Sequence, residues 1–439
     1  MRPDLLVVGG GVAGLFAAAR AADAGAAVTV VEKGTRLGGS AAYAAGIFWT
    51  APDFETLRRV VPAGDPVLGR ALVDGFNPAV ERIRSLGVAV SESWQGQMGF
   101  GVACRVDIEG LLNALASRIE SGGGRIAVGS AARELLRDAN GQVRGARIAS
   151  TSGGEEIEAG SVLLATGGFQ GDPELVATFI GSPADTMLIR SNPGSVGDGF
   201  RLGRAAGAAA SRCLGGFYGH LVPSPLAEFG PEQYLPLTQY YSNRSILVNR
   251  LGRRFTDESL GDEVSNQALF RQPDARAVMV FDDKVRTAFA VAAPYPHAPV
   301  IDRVARAEKA GGRVAQAPTL AELAATVAEW GVEPTSLLIT LDEYRSGASA
   351  PRPANPAQLS EPPFHALEVQ PTITFTFGGL AVDVDGRVLD HDASPVPGLF
   401  AAGADAGGLQ DRRYVGGLIL GAVFGPRAAE AAIGVAVDA

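Results

Sequence analysis

Three glycines near the start of the chain have the spacing of a phosphate-binding turn. Gly9, Gly11 and Gly14 form the pattern GxGxxG between a short apolar run and an Ala-rich amphipathic segment. In such a turn the first glycine permits a tight bend, the second lets the backbone approach a pyrophosphate, and the third lets the helix pack against the sheet. Glu32 ends the next apolar run, where a carboxylate accepts hydrogen bonds from ribose hydroxyls and repels a 2′-phosphate. The pattern therefore predicts a bound dinucleotide and disfavours NADP.

A second loop, LGGSAAYAAG, suits a cofactor that extends beyond the pyrophosphate. Its residues Gly38, Gly39 and Ser40 offer close backbone approach and a hydroxyl group. The alternative is an ordinary flexible glycine loop. Further along, ATGGF (165–169) follows the apolar run VLL as another strand exit rich in small residues. Taken alone, that exit fits a tight turn as well as it fits a cofactor contact.

The elements that must position these residues begin with a strand, a helix and a second strand within about 30 residues, which is the dinucleotide-binding order. Short strand patterns separated by NG and GG turns predict a β-meander over residues 131–159. The middle of the chain is richer in proline and aromatic residues, and the last segment is again Gly-rich. We predict a nucleotide-binding domain built from residues 1–215 and 351–439, with a capping domain inserted at 216–350.

Length, charge and composition exclude several classes of function. A chain of 439 residues exceeds what one core usually supports, which agrees with two domains. The net charge of −9 and the lack of a basic run disfavour nucleic-acid and anionic-membrane partners. No apolar stretch reaches the ~20 residues of a membrane-spanning helix, so we expect no integral membrane segment and a cytoplasmic protein. The histidines have no metal-ligand spacing, and we assign no metal site; they are His220, His297, His365 and His391.

Five motifs in a fixed order resemble the fumarate reductase/succinate dehydrogenase flavoprotein family (FAD-binding type 2), which includes the 3-ketosteroid Δ1-dehydrogenases. They are GGGVAG with Glu32, the GGS loop, ATGGF, GDGF (197–200) and GLFAAGADAGG (398–408). The middle third matches only through VNRLGRRFTDES. The resemblance implies an α/β fold with a Rossmann-like FAD-binding domain of the GR2 type. It also implies an inserted α+β capping domain that closes the substrate site against the flavin.

The resemblance also implies which residues hold FAD. Asp405 and the helix around 417–420 would lie beside the isoalloxazine, with the helix amides facing its pyrimidine edge. The expected FAD-binding residues are Gly9, Gly11, Ala13, Gly14, Glu32, Lys33, Gly38, Gly39, Ser40, Gly46, Ala132, Ala165, Thr166, Gly167, Asp198, Gly403, Ala404, Asp405, Gly417, Leu418 and Leu420.

Departures from the family pattern narrow the chemistry. Succinate dehydrogenases attach the flavin through a histidine after the GG pair, where this chain has Ala41 and Ala42, so the FAD is expected to be non-covalent. Fumarate reductases place a catalytic arginine where this chain has Gly261. They also carry a substrate-binding histidine where this chain has Thr374 and Phe375. A true fumarate reductase is therefore disfavoured.

The ketosteroid branch offers a different set of site residues. It places a tyrosine before a glycine turn at the entry to the last helix, and Tyr414 in RRYVGGLILG has that position. The Tyr414 hydroxyl and the Leu418 amide would hold a ketone oxygen and stabilise an enolate, although a packing role for Tyr414 remains the alternative. Tyr240 or Tyr241 would act as the base if a neighbouring group lowers its pKa. For each of these two tyrosines, packing is the competing interpretation.

Four further residues complete the expected substrate site. Arg412 and Arg413 flank Tyr414 and would bind a substrate carboxylate, although arginines at a helix entry are as often surface residues. Phe375 and Thr376 occupy the stretch where fumarate reductases carry their histidine, and we assign them to the substrate site as well.

These residues predict an FAD-dependent dehydrogenase acting on a CH–CH group. The expected reaction is desaturation of the bond α,β to the ketone of a small cyclic substrate. No second GxGxxG follows a strand, so the expected electron acceptor is a quinone, a carrier protein or oxygen, not NAD(P)H. The alternatives are an enoate reductase running the reverse reaction, a flavin-dependent hydroxylase, and a non-catalytic flavin-binding electron carrier. A capping domain over the flavin disfavours the electron carrier.

The missing histidine leads to a direct test of how the flavin is held. With Ala41 and Ala42 in the place of a covalent attachment residue, acid precipitation is expected to release all FAD into the supernatant. Absorbance of the supernatant and of the redissolved pellet measures the division. Flavin that stays with the pellet after repeated washing contradicts non-covalent binding.

Overall fold

The structure, a computed structural model, describes residues 2–150, 153–183, 187–226, 228–349 and 359–435. The strands are β1 (Leu5–Val8), β2 (Val28–Glu32), β3 (Ile47–Thr50), β4 (Trp94–Gln97), β5 (Gly101–Arg105), β6 (Arg125–Val128), β7 (Ser130–Arg137), β8 (Val143–Ser150), β9 (Gly153–Glu158), β10 (Ser161–Leu164), β11 (Leu188–Ile189), β12 (Phe217–Tyr218), β13 (Leu221–Pro223), β14 (Ile246–Asn249), β15 (Ala277–Phe281), β16 (Val291–Ala292), β17 (Ile301–Asp302), β18 (Val314–Ala317), β19 (Phe364–Ile373), β20 (Phe375–Thr376), β21 (Arg387–Leu389) and β22 (Pro395–Ala401). The helices are α1 (Val12–Asp23), α2 (Phe54–Val60), α3 (Pro66–Ser85), α4 (Ile108–Ser121), α5 (Pro173–Phe179), α6 (Asp198–Ala205), α7 (Tyr234–Leu237), α8 (Asp262–Phe270), α9 (Asp283–Ala288), α10 (Arg303–Lys309), α11 (Leu320–Ala328), α12 (Pro334–Arg345) and α13 (Leu418–Ile433).

The chain forms two compact units, and the first contains both ends of the sequence. This unit comprises residues 1–181, 191–217 and 375–439. Its main sheet has the strand order β21-β22-β10-β1-β2-β6, and all neighbours are parallel except β21 and β22. Strands β1 and β10 are buried along their whole length, as their continuous apolar sequences require in a parallel sheet covered on both faces. The predicted α/β fold class is confirmed.

Helices α1 and α13 cross at glycines in the first unit. A Cβ atom added to Gly425 would lie 2.5 Å from the carbonyl oxygen of Ala13, and one added to Gly421 would lie 2.9 Å from the amide nitrogen of Ala13. A Cβ on Gly14 would lie 2.0 Å from the carbonyl oxygen of Gly9, so α1 also packs tightly against its own entry turn. Only residues without side chains permit these approaches, as the sequence analysis predicted for Gly14.

Strands β7, β8 and β9 form an antiparallel three-stranded meander. The β-meander predicted over residues 131–159 is thereby confirmed, although residues 151 and 152 lie outside the described residues. The apolar side chains of β8, including Ile148, belong to a core cluster on one face of the main sheet. The meander therefore covers that face of the dinucleotide-binding sheet.

The second unit comprises residues 182–190 and 218–374. Its sheet has the order β11-β19-β15-β14, and β13 and β18 also pair with β19. All ten residues of β19 are buried, which makes this strand the centre of the unit. The predicted domain boundaries after residues 215 and 350 stay predictions, and residue 350 lies outside the described residues. Within the described part of the chain, no helix is long and apolar enough to cross a membrane.

The crossing of α1 and α13 makes Gly425 a sharp test of packing. Gly425→Ala is expected to lower the free energy of unfolding by about 1–3 kcal/mol, since the new methyl group would overpack the contact with Ala13. The intrinsic preference of alanine for helices, about 1 kcal/mol, acts in the opposite direction. Urea unfolding followed by circular dichroism measures the change. The matched control is Gly154→Ala, whose Cβ would be 3.6 Å from its nearest neighbour; equal unfolding midpoints for the two variants contradict the packing argument.

Candidate functional site

The glycine turn before α1 leaves open space at the N-terminus of the helix. Gly9 has φ +113°, and a Cβ there would lie 2.2 Å from the carbonyl oxygen of Ala165. Around Gly11, in contrast, the nearest neighbour of an added Cβ is the carbonyl oxygen of Gly38 at 4.0 Å. The N-cap residue Gly11 has no side chain to cap α1, and the first amide groups of a helix have no intrahelical acceptor. The turn therefore has the shape and the positive potential of a phosphate site.

Glu32 is fixed at the end of β2 by two backbone amides. Its Oε2 accepts the Gly10 N–H at 2.8 Å, and its Oε1 accepts the Gly34 N–H at 2.6 Å. Each carboxylate oxygen has a second lone pair, which suits the hydroxyl groups of a ribose. Lys33, the next residue, forms an ion pair with Asp198 at the start of α6. The predicted residues Glu32 and Lys33 thus lie at the carboxyl end of β2. The predicted residue Asp198 lies at the start of α6 in the same unit.

The second predicted glycine loop lies against the first. Gly11 forms a β-bridge with Gly38, and the Gly38 N–H donates to the carbonyl oxygen of Gly10 at 2.8 Å. A Cβ on Gly39 would lie 3.5 Å from the Cα of Gly11. Ser40 Oγ lies 3.4 Å from Ser195 Oγ. The structure therefore brings the GxGxxG turn and the GGS loop together, as a single extended cofactor requires.

Asp405 is a buried carboxyl group at the centre of three chain segments. It is 1% exposed, and it accepts the Thr166 N–H at 2.5 Å and the Thr166 Oγ1–H at 3.2 Å. Thr166 Oγ1 in turn accepts the Gly199 N–H at 2.8 Å. Burial raises the pKa of Asp405 to about 7, and the nearby Asp198 acts in the same direction, whereas the hydrogen bonds from Thr166 oppose the rise. Small changes in its surroundings would therefore change the charge of this group at neutral pH.

Tyr414 lies beside the N-terminus of α13. A Cβ added to Gly417, the N-cap residue, would lie 2.6 Å from Tyr414 Oη, so glycine is needed there for the phenol to approach. Leu418 is the first residue of the helix, and its amide is among those without an intrahelical acceptor. The Tyr414 ring packs against Trp49 and Phe375, with ring centroids 5.7 and 5.8 Å away. The structure thus brings a phenol and a helix N-terminus together, as predicted from the RRYVGGL pattern.

The other predicted substrate residues differ in their surroundings. Arg412 is exposed. Arg413 lies with its guanidinium carbon 4.9 Å from the centroid of the Phe100 ring, and its Nη2 donates to the carbonyl oxygen of Met98 at 3.2 Å. Thr376 is fully buried, and its Oγ1 accepts the Phe169 N–H at 3.4 Å. Of these three, Arg412 has the side chain most open to solvent.

The remaining residues expected to bind FAD lie in the same unit and are closely packed or partly buried. Gly46 has φ +74°, and its Cβ would lie 2.2 Å from the carbonyl oxygen of Val106. Gly403 approaches Ala13 so closely that an added Cβ would lie 2.9 Å from Ala13 Cβ. Ala404 and Gly167 are half-buried. Buried positions are Ala13, Ala132, Ala165 and Leu420.

The second unit contains the two tyrosines predicted as bases. Tyr240 accepts a hydrogen bond from Arg190 Nη2 at 3.3 Å, and the guanidinium of Arg303 lies 5.3 Å from its ring centroid. Tyr241 is 3% exposed, packs against Phe281, and has no hydrogen-bond partner for its hydroxyl among the described residues. Burial raises the pKa of both phenols, which is opposite in direction to what the sequence analysis required of a base.

Three residues that the sequence analysis did not assign to the site form a hydrogen-bonded chain in the second unit. His220 Nδ1 pairs with the carboxylate of Asp262, and His220 Nε2 pairs with the hydroxyl of Tyr218. His220 is 1% exposed and Asp262 is 5% exposed, whereas Tyr218 is half-buried. Burial lowers the pKa of His220, although Asp262 opposes this effect, so the imidazole is neutral at ordinary pH. The sequence signal that could have indicated this group is the i, i+2 spacing of Tyr218 and His220, which places both side chains on one face of an extended segment.

Gly261 begins α8 with a backbone that other residues rarely adopt. Its φ is +110°, and an added Cβ would lie 2.6 Å from Glu263 Oε2. An arginine at this position, as the family resemblance would imply for a fumarate reductase, would require a different backbone. The glycine and the main-chain conformation at the start of α8 therefore belong together.

Known proteins resemble the chain in sequence and in fold. It matches the family FAD_binding_2, an FAD binding domain, over residues 4–66 and 70–418. It is 28% identical to a fumarate reductase (cytochrome) of Shewanella frigidimarina, over 94% of this chain and 74% of that protein. It is 26% identical to the 4-oxocyclohexanecarboxylate 2-dehydrogenase of Sinomonas cyclohexanicum, over 96% of this chain and 90% of that protein. The crystal structure of 3-ketosteroid-Δ4-(5α)-dehydrogenase from Rhodococcus jostii RHA1 has a TM-score of 0.78 and 20% identity, and covers 98% of this chain and 97% of that one.

A substitution at Gly11, where an added side chain would meet open space, tests whether this turn binds the FAD pyrophosphate. Gly11→Ala is expected to weaken FAD binding at least tenfold, about 1.4 kcal/mol, because the methyl group would occupy the position predicted for the pyrophosphate. Stability of the FAD-free protein should change little, since the nearest neighbour of the new Cβ, the carbonyl oxygen of Gly38, is 4.0 Å away, which is an ordinary van der Waals distance. Fluorescence titration of the FAD-free protein measures the affinity, with Gly154→Ala as the control. An affinity equal to that of the parent protein contradicts the assignment of the phosphate site.

Proposed function

Since the chain belongs to the FAD_binding_2 family and is an FAD-dependent oxidoreductase of CH–CH groups, we propose that it desaturates the bond α,β to the ketone of a small cyclic substrate. The observation that carries this proposal is the position of Tyr414 Oη beside Gly417, the N-cap residue that precedes the Leu418 amide at the start of α13. A phenol and a helix N-terminus at one point suit a ketone oxygen. The family match, and not the geometry of Tyr414, confirms the resemblance that the sequence motifs indicated.

The first unit supplies the residues that would hold FAD. The amides at the start of α1 and the glycines of both loops suit the pyrophosphate, and Glu32 suits the adenosine ribose. When bound, FAD supplies a two-electron acceptor for a hydride from the β-carbon. The non-covalent state of the cofactor remains a proposal, supported by Ala41 and Ala42 in place of an attachment histidine.

Tyr414 and the Leu418 amide would act on the carbonyl group. When an α-proton leaves a ketone, negative charge develops on its oxygen. Two donors held in place at this oxygen would lower the energy of the enolate without having to reorganise during the reaction. The packing of Tyr414 between Trp49 and Phe375 limits the motion of its ring, which favours a fixed direction for the hydroxyl hydrogen bond. Tyr414 and Leu418 are therefore the proposed donors to the ketone oxygen.

A small keto acid is the substrate class that the proposal favours. One relative is by name a dehydrogenase of 4-oxocyclohexanecarboxylate, which carries both a ketone and a carboxylate. Arg412 is the better placed of the two candidate arginines to bind such a carboxylate, because Arg413 already donates to Met98 and contacts Phe100. Electrons would leave the reduced enzyme to an external acceptor, which we propose is a quinone, a carrier protein or oxygen.

An enoate reductase is the second candidate, because a relative at 28% identity is a fumarate reductase. Fumarate itself fits poorly, since Gly261 has a backbone unsuited to the arginine that protonates it in those enzymes. Anaerobic assays separate the two directions of reaction. A desaturase bleaches the oxidised flavin with a saturated ketone, whereas an enoate reductase consumes a reduced dye with an unsaturated acid.

Tyr414→Phe tests the proposed desaturation. Loss of one donor to a developing oxyanion is expected to lower the rate of anaerobic flavin bleaching by roughly 10²–10³-fold. FAD content and the unfolding midpoint should be unchanged, because the aromatic ring that packs on Trp49 and Phe375 is retained. The substrate panel includes cyclohexanones and keto acids, among them 4-oxocyclohexanecarboxylate.

The matched control for this experiment is Tyr295→Phe, a tyrosine of the second unit that no step of the proposal uses. If Tyr414→Phe bleaches as fast as the parent protein with the best ketone, the proposed role of Tyr414 is wrong. The enoate reductase would then become the favoured function.

A further inference from the structure

We propose that the second unit binds a small carboxylate at Arg190 and Tyr240, with Arg303 as a second positive charge beside the same tyrosine. All three residues belong to the second unit, so the site needs no residue from the first. The inference concerns binding alone and does not depend on the proposed desaturation. The observation that carries it is a buried guanidinium that has no carboxylate partner among the described residues.

Arg303, the first residue of α10, is the buried cation. It is 1% exposed, and its guanidinium carbon lies 5.3 Å from the centroid of the Tyr240 ring. Its Nη1 donates to the carbonyl oxygen of Ala292 at 3.1 Å, whereas its Nε is buried and has no hydrogen-bond partner among the described residues. A guanidinium has five N–H donors and stays protonated, so its burial costs free energy unless a negative charge compensates. Nothing in the described part of the chain supplies that charge through an ion pair.

Two other arginines of the second unit show the usual arrangement. The Arg254 side chain is 1% exposed, and its Nε donates to Glu258 Oε1 at 3.0 Å. Arg250 Nη2 lies 2.6 Å from Glu368 Oε1, and the Glu368 side chain is 1% exposed. Charged side chains are rarely buried without such a partner. Arg303 departs from this rule, and an anion from outside the chain would restore it.

Arg190 also has no carboxylate partner among the described residues. Its Nε donates to Thr238 Oγ1 at 3.2 Å, and its Nη2 contacts Tyr240 Oη at 3.3 Å and the Tyr234 carbonyl oxygen at 3.4 Å. These contacts fix the guanidinium, whereas Nη1 has no described hydrogen bond. Because Tyr240 Oη accepts from Arg190, its own hydrogen can donate to a ligand. Arg190 and Tyr240 are both half-buried, so an N–H donor and an O–H donor are held side by side within reach of a small ligand.

The charges around Tyr240 favour a monoanion. Burial raises the pKa of Tyr240, and Asp262 acts in the same direction, whereas Arg190 and Arg303 oppose the rise. Asp262 is already paired with the neutral imidazole of His220. Two positive charges and one negative charge therefore act on the Tyr240 hydroxyl. A monocarboxylate would neutralise the remaining positive charge, and its planar oxygens match the geometry of a guanidinium.

Neighbouring side chains hold the Tyr240 ring in place. Its centroid lies 5.2 Å from that of the His220 ring, with the two planes 79° apart, and the Arg303 guanidinium faces the same ring. The ring is therefore restricted in its motion. A hydroxyl with a fixed direction binds an anion without a large loss of conformational freedom.

Calorimetric titration of the holoenzyme with cyclohexanecarboxylate tests the site. This acid has no ketone, so the flavin stays oxidised during the measurement. The parent protein should bind it, and should bind the neutral cyclohexanecarboxamide roughly tenfold or more weakly, because the amide lacks the charge. Arg190→Gln is expected to weaken binding of the carboxylate by roughly 10–100-fold through loss of a charge-assisted hydrogen bond. The matched control is Arg253→Gln, an exposed arginine of the same unit, which should bind as the parent does.

Arg303→Met tests the buried charge. The substitution replaces an unpaired buried cation by an apolar side chain, which buried sites often tolerate. In the parent protein the carboxylate should raise the thermal unfolding midpoint, since it binds only the folded state. This rise should disappear in Arg303→Met. If that variant does not fold, the affinity of Arg190→Gln still decides the inference.

Carbon-13 NMR of protein labelled at tyrosine Cζ locates the ligand. Tyr240→Phe assigns the Tyr240 signal in the holoenzyme. Saturating cyclohexanecarboxylate should shift this signal, because the hydroxyl gains an anionic acceptor, and the carboxamide should shift it less. A Tyr240 signal that does not move at saturation overturns the inference.

The remaining outcomes separate this site from the proposed function. Binding of inorganic phosphate without binding of the carboxylate overturns the inference, as does a parent protein that binds neither. Equal affinities in the parent and in Arg190→Gln also overturn it, and loss of binding in Arg412→Gln would then assign the carboxylate to the first unit. A parent protein that bleaches with no ketone refutes the proposed desaturation. Carboxylate binding that Arg190→Gln weakens supports the site in the second unit whether or not the flavin bleaches.

Discussion

The contact between α1 and α13 is the constraint on which the first unit depends. The two helices come from opposite ends of the chain, and they cross at Gly421 and Gly425 against Ala13. This close approach brings the N-terminus that faces the proposed pyrophosphate and the N-terminus that carries Leu418 into one rigid pair. A side chain at either glycine would separate the helices, since protein interiors have no spare volume to absorb it. The position of Tyr414 relative to the dinucleotide turn therefore depends on Gly421 and Gly425, which have no side chains to hold the two helices apart.

The chemistry divides between the two units according to the kind of structure each supplies. The first unit offers backbone amides, glycines and one anchored carboxylate, which suit a large anionic cofactor. The second offers a buried hydrogen-bonded chain of titratable side chains on α8 and next to β19. Backbone amides bind charge without titrating, whereas a phenol, an imidazole and a carboxylate in series can transfer protons. The proposed cofactor site and the hydrogen-bonded chain therefore have separate structural supports.

The sequence predicted local motifs better than long-range contacts. Gly9, Gly14 and Glu32 were predicted correctly in their structural positions because the spacing of a strand, a turn and a helix dictates them within a few residues. The β-meander followed from alternation and turn residues for the same reason. The pairing of His220 with Asp262 joins residues 42 positions apart, one between β12 and β13 and the other at the start of α8. No local pattern encodes such a distance. The raised pKa values of Tyr240 and Tyr241 also escaped prediction, because burial depends on the whole packed unit.

Gly261 limits which substitutions the start of α8 can accept. With φ at +110°, the residue occupies a conformation that arginine rarely adopts, and Glu263 fills the space where its Cβ would begin. A single codon change to arginine would therefore yield a strained loop before it yielded a proton donor. The backbone at the start of α8 must be rebuilt first, together with the Asp262 that begins the helix. A larger side chain at residue 261 would therefore cost stability before it could add a new functional group, which makes Gly261 a structural constraint on the chemistry that the start of α8 can acquire.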